Sequence, residues 1–254
     1  MAKKVLSPAV ELPEVNFSDF GDRRYLHLGT EWVQGSMLID KPYDIELEYV
    51  QRMMAGLLFM EPSSVHKKTA MQLGLGSAAL TKFCYKKLRT KTSAIEINPQ
   101  VIAACRVWFK LPRDDLRLHV VEADAAIEIK RPQYGGTVDL LHVDLYDHEA
   151  AAPVLDSAGF YADCRALLAE EGVMTVNLFG RASSYQASLD KIAQAFGLQA
   201  LWAFTPTREG NTIVLAQREP SRPERAALAL RAADIQSRFE LPAKKWLRLF
   251  KPVA

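Results

Sequence analysis

Between residues 69 and 217, short apolar runs alternate with segments whose apolar residues recur at helical spacing. That alternation leaves few folds open. Ala70-Met71-Gln72-Leu73 reads as a strand, a glycine loop follows, and Leu80, Phe83, Cys84 and Leu88 then fall on one helical face. Ser93-Ala94-Ile95-Glu96-Ile97 is a second strand. Asn98 suits the cap of the next helix, and Pro99 its first position, where no amide donor is needed. Ile102, Cys105 and Phe109 line that helix. Further strands are expected over 116–121, 138–143 and 173–178. Helices are expected over 160–168 and 185–196, ended by Gly172 and Gly197. Residues 198–204 and 212–217 form two more strands, and their short connection forces an antiparallel pair. The whole is a doubly wound α/β sheet with an antiparallel C-terminal hairpin.

Before it, residues 14–45 carry short alternating pieces punctuated by Gly21, Gly29 and Gly35, which read as a small antiparallel meander. A helix is expected from about Ile45 to Met60, with Pro62 stopping it. After it comes a helical tail. The expected organisation is a β-stranded unit over 1–45, the α/β domain over 46–218 and the tail over 219–254.

Composition narrows the function classes. A formal charge of +2 on 254 residues argues against an acidic partner, and nucleic acid is not an expected ligand. The tail from Arg222 to Lys251 holds eight Lys/Arg against three Asp/Glu, which reads as a solvated helix face. The three cysteines, Cys84, Cys105 and Cys164, lie in apolar contexts without metal-ligand spacing, so they read as buried thiols and no metal is expected. His119 and His142 sit in strand-like runs and read as satisfied histidines. There is no signal-like segment and no apolar run long enough to span a membrane, so the expected location is the cytoplasm.

The chemistry gathers at strand ends, where open α/β sheets bind ligands. Leu73-Gly74-Leu75-Gly76-Ser77 joins a strand to a helix, and its glycines let the backbone turn sharply and approach a ligand. Taken alone it could be a plain tight turn. Glu96 ends the next strand about 22 residues on, the place from which an acid accepts ribose hydroxyls in such folds. Asp124 follows the third strand, able to meet an adenine amino group or simply to cap a helix. Asp144 and Asp147 follow the fourth. So many carboxylates suit a cationic ligand such as a sulfonium nucleoside better than a dinucleotide.

The order of Ala94-Ile95-Glu96-Ile97-Asn98-Pro99, Val121-Glu122-Ala123-Asp124-Ala125, Val143-Asp144-Leu145-Tyr146-Asp147, Phe160-Tyr161 and Glu171-Gly172-Val173 resembles the spermidine synthase (polyamine aminopropyltransferase) family. Val33-Gln34 and the helix with Tyr49 are placed similarly, and the likeness spans roughly residues 17–217. The resemblance implies a methyltransferase-like Rossmann domain behind a small β-domain, usually dimeric. It implies an aminopropyl group moving from decarboxylated S-adenosylmethionine to an amine such as putrescine. By position, Glu96 would hold the ribose and Asp124 the adenine, with Gly74, Leu75, Gly76, Ile97 and Ala125 beside the nucleoside. Asp144 would accept the amine's proton, and Asp147, Gln34, Tyr49 and Tyr146 would line the amine side. The family's loop is Gly-Gly-Gly-Asp-Gly-Gly, whereas Leu73–Ala79 here has no aspartate. Val50 stands where the family has His, and Leu145-Tyr146-Asp147-His148 replaces a Ser-Ser-Asp-Pro type of sequence. These differences resemble a divergent, spermidine synthase-like bacterial branch. They leave open full S-adenosylmethionine as co-substrate, hence a methyltransferase, and a non-catalytic binding protein of the same fold.

Overall fold

A computed structural model of the chain describes residues 12–146, 155–179 and 182–254. Strands β1 (Val15–Phe20), β2 (Arg23–Leu28) and β3 (Gly35–Leu38) form an antiparallel three-stranded sheet. Its inward side is thin: Leu26 and Met37 are buried against Leu75 and Ala78 of the main domain. A sheet this small needs such a neighbour to be stable.

The segment expected as one helix over 45–60 is two. Helix α1 (Glu48–Met53) gives way to a 3₁₀ helix, Met54–Phe59, and Pro62–Lys67 adds another 3₁₀ turn instead of simply ending the segment. The tighter coil sets Gly56 against the sheet, where an added Cβ would lie 2.7 Å from Leu140 and Val173.

The main sheet follows in sequence as β4 (Thr69–Leu73), α2 (Ala79–Phe83) continued by a π-helical turn Cys84–Leu88, β5 (Lys91–Glu96), α3 (Pro99–Val107), β6 (Leu118–Glu122) and α4 (Ala125–Glu128). Then come β7 (Val138–Val143), α5 (Ala158–Leu167), β8 (Leu168–Phe179), α6 (Ala182–Phe196), β9 (Leu201–Phe204) and β10 (Asn211–Gln217). Helices α7 (Arg225–Phe239) and α8 (Ala243–Leu249) and strand β11 (Phe250–Pro252) complete it. The strand order is β11-β9-β10-β8-β7-β4-β5-β6, parallel from β8 to β6 and antiparallel at the other side. This is the expected doubly wound sheet with its antiparallel hairpin, extended by β11 from the tail.

Two local expectations are corrected. Gly172 does not end a helix: α5 stops at Leu167, and Gly172 lies inside β8, where the pairing to β7 shifts register between Val138 and Leu140. The irregularity needs a glycine, because a Cβ at 172 would meet the carbonyl of Val138 at 2.6 Å. The third strand starts at Leu118, not Leu116. The Asp115 carboxylate accepts the amides of Arg117 and Leu118, both at 2.8 Å, which holds the preceding residues in a turn and leaves Leu116 93% exposed. By contrast Asn98 caps α3 as read, accepting from the Gln100 amide at 2.9 Å.

Alternation along the strands divides the core. One face packs under α1, the 3₁₀ helix, α7 and α8, with Ala70, Leu140, Val173, Ile213 and Leu215. The other packs under α5 and α6, with Met71, Leu141, Met174, Val176 and Val214. The first face also carries a buried polar row, Gln72–His142–Thr175, paired across β4, β7 and β8. Thr175 donates to the carbonyl of Met53 at 3.0 Å, so its oxygen receives Nδ1–H of His142 at 2.9 Å. Nε2 of His142 then keeps its lone pair toward the Cys84 thiol at 3.9 Å, and burial pushes the imidazole down to about 4. All three thiols are buried and free of disulfides. Among the described residues no helix is long and apolar enough to cross a membrane, and no group of three His, Cys, Asp or Glu is placed to hold a metal.

Candidate active site

The strand order reverses between β7 and β4, because β5 and β6 continue outward from β4 while β8 lies beyond β7. Ligands in open α/β sheets sit at that reversal, outside the carboxyl ends of the strands. The glycine loop leaves β4 there and Asp144 leaves β7 beside it. Gly74 adopts φ +82°, and a Cβ on it would stand 2.2 Å from the Asp144 carbonyl oxygen. Only glycine lets the two strand ends approach this closely.

Glu96, at the end of β5, fastens the loop. One carboxylate oxygen accepts the Leu75 amide at 2.8 Å and the other accepts the Asn98 amide at 2.8 Å. Burial raises its pKa, and the amides of Asn98, Leu75 and Ile97 oppose that rise. Each oxygen retains a second lone pair, so the residue is equipped to accept ligand hydroxyls as well. Gln72, one row deeper, braces the following helix by accepting from both the amide and the hydroxyl of Thr81.

The N-terminal sheet closes the loop from the other side. Ser77 donates to the carbonyl of Ser36 at 2.9 Å, and a Cβ on Gly35 would lie 2.7 Å from the Ser77 hydroxyl. Ser36 in turn donates to Glu46, which also accepts from Arg23 at 3.1 Å.

Between these parts lies a cleft whose walls include Gln34, Tyr49, Leu75, Gly76, Ser77 and Asp144. Five of the sequence-predicted residues, Gln34, Tyr49, Leu75, Gly76 and Asp144, therefore meet there although they lie up to 110 positions apart, from 34 to 144. The Asp144 carboxylate accepts from the Asn177 amide at 2.9 Å through Oδ1 and from the Tyr49 hydroxyl at 3.4 Å through Oδ2. Burial raises its pKa, while those two donors lower it. The Tyr49 phenol is pushed well up by its burial and by the neighbouring Asp144 charge, so it stays protonated and donates.

The remaining predicted residues stand elsewhere. Glu96, Ile97, Asp124 and Ala125 occupy the next two strand ends, joined by the Ala123 amide donating to the Glu96 carbonyl at 3.0 Å. Asp124 is exposed, and one of its oxygens caps α4 by accepting from Ala126 at 2.8 Å. Tyr146 is not among the cleft-lining residues: its hydroxyl donates to the Asn177 carbonyl at 2.9 Å and accepts from the Phe179 amide at 2.6 Å, tying β7's exit to β8. Asp147 and His148 lie outside the described residues. Sequence reasoning missed Gln72 and Asn177. A polar residue at the inward position of an otherwise apolar strand was the available signal, and both fit it.

The chemistry this geometry allows is specific. The loop, with its two positive-φ glycines, and Glu96 offer a flat, close-approach cradle with hydroxyl acceptors, which fits a nucleoside. The cleft beside it ends on one half-buried carboxylate held by two neutral donors, which fits a cationic or proton-donating group.

No family model matches the chain. Curated relatives do. It is 34% identical over 252 residues to the polyamine aminopropyltransferase of Chromobacterium violaceum, covering 98% of this chain and 94% of that protein. It is 32% identical over 237 residues to that of Neisseria meningitidis serogroup A, covering 92% and 88%. Among solved structures, a probable spermidine synthase from Corynebacterium glutamicum superposes with a TM-score of 0.72 at 15% identity, covering 95% of this chain and 93% of that one. Human methyltransferase-like protein 13, solved with SAH, superposes with a TM-score of 0.69 at 22% identity, covering 77% and 93%. At those identities the superpositions speak to the fold.

Proposed function

The chain belongs to the polyamine aminopropyltransferase family, and we propose that it transfers an aminopropyl group from decarboxylated S-adenosylmethionine to an amine such as putrescine. The observation that carries this reading is the half-buried Asp144 carboxylate facing Tyr49 in the same cleft as the glycine loop.

The co-substrate supplies a sulfonium whose adjacent carbon is open to attack and whose sulfur leaves as a neutral thioether. The protein supplies the rest. Glu96, Leu75 and Gly76 hold the nucleoside, with Asp124 available to the adenine amino group through its second oxygen. Gln34 and Tyr49 line the path to Asp144. An alkylammonium has no lone pair, so it must lose a proton before its nitrogen forms the new carbon–nitrogen bond. Asp144 accepts that proton, and its upward-shifted pKa makes it a better base than an exposed aspartate. Holding nitrogen and carbon together supplies much of the remaining acceleration.

Incubation with decarboxylated S-adenosylmethionine and a panel of diamines should release methylthioadenosine. Absence of release with every amine would refute the reading. A second reading, transfer from full S-adenosylmethionine, draws on the Leu73–Ala79 loop, which lacks an acid to meet an aminopropyl ammonium and would not repel a carboxylate. Calorimetry with the two co-substrates separates them: tighter binding of the decarboxylated form eliminates the second. The exposed aromatic side chains of Phe20, at the end of β1 and 78% exposed, and of Trp32, in the β2–β3 loop and 63% exposed, support a homodimer, which light scattering tests. A cytoplasmic site of action fits polyamine chemistry and is checked by fractionation.

A further inference from the structure

Behind Asp144 stands a chain of two side-chain amides. Asn177 Nδ2 donates to Asp144 Oδ1 at 2.9 Å, and Asn211 Nδ2 donates to Asn177 Oδ1 at 3.1 Å. Asn177 and Asn211 are 4% and 9% exposed. They are diagonal neighbours on one face of the antiparallel β8–β10 pair, in which Asn211 sits opposite Phe179 and Asn177 opposite Ile213. Asn211 is fixed in turn by the hairpin that precedes it: Thr207 Oγ1 accepts the Asn211 amide at 3.2 Å, and the Thr207 amide donates to the Asn211 carbonyl at 2.7 Å.

The direction of this chain matters. An asparagine side chain has nearly the same shape when flipped, so packing alone does not choose which end of Asn177 meets Asp144. An ionised carboxylate only accepts, and a flipped Asn177 would present it with a carbonyl oxygen. The Asn211 donor removes that option by occupying the Asn177 oxygen. Both amide dipoles then point their positive ends toward the carboxylate. With Oδ1 held from behind, Oδ2 is the oxygen left toward Tyr49 and the cleft.

Resting on the aminopropyl-transfer reading, we propose that Asn211 is a positioning residue which, through Asn177, anchors Asp144 Oδ1 and so aims Oδ2 at the incoming amine. Asn211 is not among the cleft-lining residues, so it acts without touching the substrate. Among the described residues, the other ionisable groups around the carboxylate are Tyr49 from α1 and Tyr146 on its own segment. Arg208 and Glu209 lie in the hairpin before Asn211, both exposed.

Asn211→Asp tests the relay with almost no change in shape. An ionised aspartate at this position accepts only, so it draws the Asn177 amino group to itself and turns the Asn177 oxygen onto Asp144. Turnover should fall about ten-fold or more while the KM for the nucleoside co-substrate stays within roughly two-fold. The acidic limb of kcat/KM should move to higher pH by about one unit, since Asp144 loses a donor that favours its charged form. Carboxyl ¹³C NMR of the ligand-free protein, with the Asp144 signal assigned by its loss in Asp144→Asn, should show the same shift. Asn211→Ser removes the amide donor without adding charge and should shift both measures the same way by less. It carries the test if the aspartate variant does not fold. An unchanged limb and an unchanged Asp144 titration, in either folded variant, would overturn the relay even if the melting temperature dropped. If the wild-type protein transfers nothing, the NMR arm still decides, so failure of the relay and failure of the transfer reading remain distinguishable.

Discussion

The α-carbon of Gly74 faces the backbone carbonyl of Asp144 so closely that a Cβ there would stand 2.2 Å from its oxygen. The strand end proposed to meet the nucleoside and the strand end that bears the proposed base thus share one contact, and disturbing either moves both. Gly74→Ala combines that clash with a φ of +82°, which L side chains rarely adopt. It should destabilise the protein by about 2–4 kcal/mol. Urea unfolding measures this directly, and calorimetry with methylthioadenosine should show binding lost in whatever fraction remains folded.

Asp144→Asn should cut methylthioadenosine release by a factor of about 10²–10⁴ while leaving nucleoside binding in place. Its effect on stability has the opposite sense. Burial raises the Asp144 pKa above its ordinary value of 3.8. The stability linked to this group is therefore complete below that value and is lost as pH rises through the raised one. Once ionised, Asp144 carries a disfavoured, half-buried charge that the amide lacks. The variant should melt higher than wild type at pH 7, and the difference should close on acidification. A variant that melts lower at neutral pH would contradict the burial argument.

Glu96→Gln replaces an acceptor on both sides by an acceptor on one. Either the Leu75 or the Asn98 amide then faces an NH₂ group, and the loop loses one of its two ties. A hydrogen bond to a charged group is worth about 1.5–3 kcal/mol. Nucleoside affinity should accordingly drop by roughly ten-fold or more on isothermal titration. Affinity equal to wild type would remove Glu96 from the loop's support.

His142 is neutral in the folded chain because burial pushes it down to about 4. Its folded value lies below its unfolded value of 6.5, so the associated stability is present above 6.5 and disappears as pH falls toward 4. A ten-fold difference in proton affinity between the folded and unfolded chain is worth about 1.4 kcal/mol. His142→Gln keeps a polar partner for Thr175 and does not titrate. Wild type should lose more urea resistance than the variant between pH 7 and pH 5. Parallel losses would show that the imidazole is not the group at fault.

Much of the candidate site is legible from residues that stand at strand ends. Gly74, Gly76, Glu96 and Asp144 follow apolar runs directly, and a doubly wound sheet brings successive strand ends to one edge. Asn177 and Asn211 were not legible in this way. Each lies within a strand, and its value depends on a partner more than thirty positions away, 33 for Asp144–Asn177 and 34 for Asn177–Asn211. The resemblance places Tyr146 on the amine side. Its hydroxyl satisfies the backbone of β8, a demand set by tertiary pairing that no local pattern announces. The helix expected over 45–60 failed for a similar reason. Leu47, Val50, Met54, Leu57 and Leu58 recur at a spacing that α and 3₁₀ coils both satisfy over a few turns. The structure takes the 3₁₀ coil from Met54 on, with Gly56 set so close to Leu140 and Val173 that a side chain there would clash.

The seating of Gly35 on Ser77 bears on how such a chain can be rebuilt. The small N-terminal sheet looks like a detachable module. Yet its third strand is keyed to the loop by a contact that admits no side chain at position 35, and by a hydroxyl that reaches the next residue, Ser36. A chimera that exchanged the sheet with a relative's would have to carry matched residues on both sides of this seam. The two pieces are, for recombination and for engineering alike, one heritable part.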